Sequence, residues 1–138
     1  MAIIRSNPDV GYIADTVFKA FGFTQNVRAG NTLYMSGIAP IKAASVDTIE
    51  LVGEGDIRAQ VEWCTEVLKR LLEAEGLSPS NVVSTILYTT DVGELMAKAA
   101  DVPAQLFGGD TPASTLIGVT SLFLPGQMVE IQATAVFD

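Results

Sequence analysis

The sequence predicts an α+β fold in a single domain, residues 1–138, with a mixed β-sheet that carries two helices packed on one face. Three observations lead there. Apolar residues recur at helical spacing in one long stretch and one shorter one, and four other stretches are rich in β-branched and aromatic residues. The extended stretches precede, separate and follow the two helices, an order that sets both helices on the same side of one sheet.

The first extended stretch is residues 31–36, Asn31-Thr32-Leu33-Tyr34-Met35-Ser36, closed by Gly37. Residues 56–75 form the clearest helix. Ile57, Val61, Cys64, Leu68, Leu71 and Leu72 recur at spacings of three and four, Asp56 is placed to cap the start, and Gly76 follows the end. Residues 82–90 are again extended. The second helix opens at Asp91, where Asp91 and Glu94 have capping-box spacing, and runs through Leu95, Met96, Ala99 and Val102 towards Leu106 and Phe107. Pro103 should kink or restart it, because proline lacks an amide donor and its ring clashes with the preceding turn. Residues 114–121 and 128–137 complete the strands. In the last, Val129, Ile131, Ala133 and Ala135 face one way and Glu130, Gln132, Thr134 and Val136 the other. Residues 40–52 read as a loop, and residues 10–22 have no assigned element.

Composition narrows the function classes. With 49% hydrophobic and 17% charged residues, the chain can bury one real core but not two of ordinary size. Sixteen acidic residues against eight basic ones give a net charge of −8, a field that repels phosphate backbones and anionic lipid. No nucleic-acid partner and no membrane partner are therefore expected. The N-terminal stretch lacks the basic head and apolar core of a secretory signal, so the expected location is cytoplasmic. With no histidine and one cysteine, neither a disulfide nor a transition-metal site is expected, and no cofactor. A mean hydropathy of +0.36 is high for so small a domain and suggests a large subunit interface. A neighbouring sheet would cover the face that the helices leave open.

Several motifs carry bland readings. Cys64 keeps register with Val61 and Leu68 and reads as a buried, inert thiol. Asp47, Glu50, Glu54 and Asp56 read as a solvated loop and helix cap rather than a cation site. The turns Gly53-Glu54-Gly55-Asp56 and Gly108-Gly109-Asp110 lack the strand-to-helix pattern of a nucleotide loop.

In Tyr34-Met35-Ser36-Gly37, Gly55-Asp56-Ile57-Arg58-Ala59-Gln60, Leu71-Leu72-Glu73-Ala74-Glu75-Gly76, Asn81-Val82-Val83-Ser84-Thr85, Thr111-Pro112-Ala113 and Val129-Glu130-Ile131-Gln132-Ala133, the chain resembles the Rid (reactive intermediate deaminase) or YjgF-like superfamily, once labelled endoribonuclease L-PSP. The resemblance runs from about Phe21 to Val136. It implies a chorismate-mutase-like α+β fold, a homotrimer, and three equivalent clefts between subunits where small imines and enamines such as iminopyruvate are hydrolysed. Carried onto this chain, the family site gives Glu130 as the carboxylate that positions or activates water, and Ser36 as a hydroxyl near the ligand.

Five positions depart from the pattern. Ser114 stands where the family has the arginine that grips a substrate carboxylate, Phe23 where it has a tyrosine, and Ile38 where it often has a glutamine. Ala100 lies near the place of an asparagine, and Leu116 stands where a cysteine is expected. The resemblance thus assigns catalysis to Glu130 and Ser114, and ligand binding to Phe23, Ser36, Ile38, Ala100 and Leu116. A serine replaces two charge-assisted hydrogen bonds with one neutral bond, a loss of about 1.5–3 kcal/mol. The expected ligand is therefore a small molecule larger and less charged than a 2-imino acid, hydrolysed or deaminated with altered specificity. The alternative is a trimeric binding or protective protein without the chemistry. Ribonuclease action is opposed by the charge and by the lack of histidine.

Overall fold

A computed structural model describes residues 2–138. Among them the strands are β1 (Ile3–Ser6), β2 (Asn26–Ala29), β3 (Thr32–Met35), β4 (Ile41–Ser45), β5 (Thr48–Leu51), β6 (Val82–Thr89), β7 (Ala113–Gly118) and β8 (Val129–Val136). The helices are α1 (Asp15–Phe21), α2 (Ile57–Ala74), α3 (Val92–Lys98) and α4 (Asp101–Phe107). Six strands form one sheet in the order β1-β2-β3-β8-β6-β7, and β4 pairs with β5 in a separate hairpin. All neighbours in the large sheet are antiparallel except β6 and β7, which run parallel. The sheet is therefore mixed, as the element order implies.

The core lies between α2 and the central strands. Every residue of the predicted α2 stripe, from Ile57 to Leu72, is at most 1% exposed, and it meets Val129, Ile131, Ala133 and Ala135 of β8, none more than 4% exposed. The predicted alternation of β8 is the observed one. Asp56 caps α2 by accepting from the Ala59 amide at 3.1 Å, and Asp91 caps α3 by accepting from the Glu94 amide at 3.0 Å. The carboxylate of Glu94 does not close a capping box; it pairs with Lys98 at 2.7 Å.

Four expectations need correction. The second helix is two helices, broken at Ala99 and Ala100, because Pro103 in a continuous helix would drive its ring into the carbonyl of Ala99. In the first turn of α4 the missing amide is one that has no intrahelical partner anyway. Residues 40–52 are the β4–β5 hairpin rather than a loop. The predicted strand 114–121 spans Ala113–Gly118. Residues 10–22 contain α1, whose Val17 and Phe18 are buried and which ends on Gly22 at φ 76°, a left-handed turn natural to glycine. That segment is stitched to β4: the Ala14 amide donates to the Ala43 carbonyl at 2.8 Å, and the Ala43 amide to the Tyr12 carbonyl at 2.9 Å. Among the described residues no helix is long and apolar enough to cross a membrane.

Candidate functional site

The backbone at the end of β3 is fixed before any ligand group is considered. Ser36 donates its amide to the Gln25 carbonyl at 2.8 Å, accepts from Gln25 Nε2 at 3.0 Å, and donates its hydroxyl to the Thr24 carbonyl at 2.6 Å. Beyond it, Ile38 and Ile131 exchange two backbone hydrogen bonds, of 2.7 and 3.0 Å. These bonds bring the chain across β8 one residue from Glu130. Gly37 is the point of closest approach: a Cβ there would overlap Glu130 Oε2 and lie 3.0 Å from its Cδ. Only glycine leaves room for the carboxylate in its observed position.

Glu130 is half-buried and opens onto a pocket of about 320 Å³. Its carboxylate accepts from Gln127 Nε2 at 3.4 Å. Burial pushes the Glu130 carboxyl above its ordinary value, and the Gln127 hydrogen bond opposes the shift. The walls are apolar. Ile41, Ala43 and Ile49 of the hairpin form one side; Ile13, Val17 and Phe21 from the α1 segment form another, and Phe23 and Phe123 adjoin it. Phe23 meets Phe18 edge-on with ring centres 5.0 Å apart, and Phe21 meets Phe123 at 6.1 Å. Tyr12 sits deep in the pocket, its hydroxyl oxygen accepting from the Ala39 amide at 2.9 Å. Burial raises its phenol far above the normal range, so it stays protonated.

Of the seven residues singled out in the sequence, Glu130, Ser36 and Phe23 converge here. Ile38 does not reach the pocket; it is 0% exposed, and its carbonyl accepts from Cys64 Sγ at 3.4 Å. Isoleucine at this position thus belongs to the core rather than to the pocket wall. Ser114 and Leu116 lie on edge strand β7, in register with Thr85 and Leu87, whose other partners on β8 are Ala133 and Ile131. Those are the core-facing residues of β8. Ser114 therefore lines a small hollow with Thr65 and Phe107, on the face of the sheet opposite to Glu130. Within one chain Ser114 and Glu130 do not meet. Ala100 is exposed at the break between α3 and α4. Cys64 is buried with its thiol pushed well up by burial, as the bland reading has it.

Sequence reasoning missed Tyr12, Val17, Phe21, Gly37 and Phe123. The α1 segment did carry a signal: Ile13, Val17 and Phe21 are spaced by four, Asp15 and Lys19 form an i,i+4 pair, and Gly22 follows. Gly37 was legible only as a strand end. Its closeness to Glu130 is a tertiary fact.

Fold and pocket together define a small α+β protein whose apolar cavity is served by one carboxylate. Residues 16–137 match the Endoribonuclease L-PSP family, and the chain belongs to that family, the Rid or YjgF group. It is 36% identical over 126 residues to protein DfrA of Myxococcus xanthus, covering 89% of this chain and 92% of that one. It is 30% identical over 116 residues to the 2-iminobutanoate/2-iminopropanoate deaminase of Dermatophagoides farinae, covering 84% and 86%. Among solved structures, a putative endoribonuclease of Thermotoga maritima is 33% identical with a TM-score of 0.74, covering 92% of this chain and 97% of that one. Rv2704 of Mycobacterium tuberculosis, a member of the YjgF/YER057c/UK114 family, is 26% identical with a TM-score of 0.75, covering 98% and 99%.

Proposed function

We propose that the protein hydrolyses the C=N bond of a small apolar imine or enamine tautomer, with Glu130 as general base. The observation that carries this reading is the Glu130 carboxylate, held over Gly37 as the one charged side chain on the lining of a largely apolar pocket. A bound water gives a proton to Glu130 as its oxygen attacks the imine carbon. Glu130 returns that proton to nitrogen, giving a carbinolamine; it then takes the proton of the new hydroxyl and passes it to nitrogen as the C–N bond breaks, so that carbonyl and ammonia leave. One water is consumed, and the carboxylate ends as it began. The relative named for imine deamination supports the reaction class.

Ser114 and Leu116 enter the site only if a second subunit brings its β7 edge to the Glu130 pocket of the first. A homotrimer with three shared clefts accounts for that, and for the exposed Tyr34 and Ile117 on the helix-free face of the sheet. A second reading, binding without chemistry, is favoured by one observation: no arginine stands at position 114 to hold an acidic substrate. The test is ammonia release from an imine generated in situ by an amine oxidase. Acceleration above the spontaneous rate supports catalysis; saturable binding of the product carbonyl with no acceleration supports the second reading. A net charge of −8 opposes an RNA substrate.

A further inference from the structure

We propose that the Glu130 pocket selects a cationic ligand, an apolar amine or iminium without a carboxylate, seated between the carboxylate and the phenylalanine rings. The inference rests on the site assigned under Proposed function and names the charge of what enters it. Its first support is the polar inventory of the pocket, where acceptors prevail. Glu130 offers a carboxylate. Ser36 has committed its hydroxyl proton to the Thr24 carbonyl, so it offers lone pairs only. Tyr12 accepts from the Ala39 amide and retains a single O–H. Among the lining side chains a ligand N–H finds several acceptors, whereas a ligand carboxylate finds one donor and a like charge.

The second support is what is absent from the lining. None of the chain's eight Lys and Arg side chains is on it. Lys19 and Lys42, within two residues of its walls in sequence, are engaged elsewhere, as is Arg70 beside Gly11. Lys19 pairs with Asp15 at 2.8 Å; Arg70 donates to the Val10 carbonyl at 3.1 Å; Lys42 lies 4.9 Å over the Trp63 ring. The residues a second subunit would add from β7, Ser114 and Leu116, are uncharged.

The third support is aromatic. Phe21, Phe23 and Phe123 are 52%, 42% and 54% exposed, unusual for so large an apolar side chain, and all three open onto this pocket. Ring faces attract a cation through their quadrupole, and the attraction grows where water is excluded. Rings and carboxylate together solvate a positive charge better than a neutral or negative one. An iminium is also the more electrophilic form of an imine, so the same selection would favour attack at its carbon.

Isothermal titration calorimetry of the native oligomer at neutral pH tests this with three matched probes: 2-phenylethylamine as the cation, 2-phenylethanol as its neutral counterpart, and 3-phenylpropanoate as the anion. The amine is expected to bind at least about tenfold tighter than the alcohol, with the carboxylate weakest. In Glu130→Gln the amine's advantage should shrink to about threefold or less while alcohol binding holds, a pattern that a general loss of structure would not give. The proposal is overturned if the carboxylate matches or beats the amine, if the amine does not bind at millimolar concentration, or if its advantage survives in Glu130→Gln. Turnover is scored separately. Amine selectivity without imine hydrolysis defeats the catalytic reading alone, and hydrolysis together with preference for the anionic probe defeats this inference alone.

Discussion

Replacing Gly37 with alanine should disable the site without touching a polar group. The added methyl would overlap Glu130 Oε2 and stand 3.0 and 3.3 Å from its Cδ and Cγ, closer than such atoms sit at rest. Something must move. Backbone cannot easily do so, because Ser36 and Ile38 on either side are pinned by hydrogen bonds of 2.6–2.8 Å. The carboxylate can, since Glu130 is held by one long hydrogen bond from Gln127 and is only half-buried. Overpacking costs about 1–3 kcal/mol where nothing yields, so with a yielding side chain the stability loss should fall below about 1 kcal/mol. Turnover should fall much further, by about 10²- to 10⁴-fold, the usual worth of a positioned general base. The assay is a double-mutant cycle in imine hydrolysis. If Gly37→Ala acts through Glu130, it should cost less than about threefold in a Glu130→Gln background. Wild-type turnover in Gly37→Ala, or a full second loss in the double variant, would mean that Gly37 does not act by leaving room for Glu130.

Three further outcomes follow from the same contacts. Gln60, 0% exposed, donates to the Gly53 and Gly126 carbonyls at 3.1 and 3.0 Å and accepts from the Met128 amide at 2.8 Å. Gln60→Leu strands the Gly126 carbonyl and the Met128 amide, while the Gly53 carbonyl keeps the Asp56 amide at 2.9 Å, and should cost about 3 kcal/mol, about 10 °C in Tm by thermal scanning calorimetry. Burial raises the Glu130 carboxyl in the folded state, so its protonated form favours folding: the contribution is present below the unfolded value and is lost as pH rises through the folded one. Glu130→Gln should therefore melt higher than wild type at neutral pH, with the gap closing in acid; a Tm difference that does not vary with pH would contradict this. By light scattering the protein should run at about three times its 14.6 kDa, and a clean monomer would remove Ser114 and Leu116 from the site.

The layer structure was legible because local signals and tertiary packing agree there. The α2 stripe, the Asp56 and Asp91 caps and the alternation of β8 each follow from spacing alone. Where packing decides, the sequence was silent. The four-residue strands β1 and β2 are too short for a periodicity to stand out, and α1 makes only two turns. For the site, family likeness placed Glu130, Ser36 and Phe23 in one pocket. It did not foresee that Ile38 points into the core. Within one chain Ser114 lies across the sheet from Glu130, through the parallel β6–β7 register, a placement that spacing alone does not reveal. Tyr12 comes from the segment ahead of the stretch that the resemblance covers.

Glu130 is proposed to move the proton in C=N hydrolysis. The most direct measurement is the rate of carbonyl formation from an apolar imine on wild type and Glu130→Gln at equal oligomer concentration, with Tm recorded for both. With Glu130 as the base, the variant should stay folded and lose at least about 100-fold in rate. A folded Glu130→Gln that keeps the wild-type rate would contradict that role.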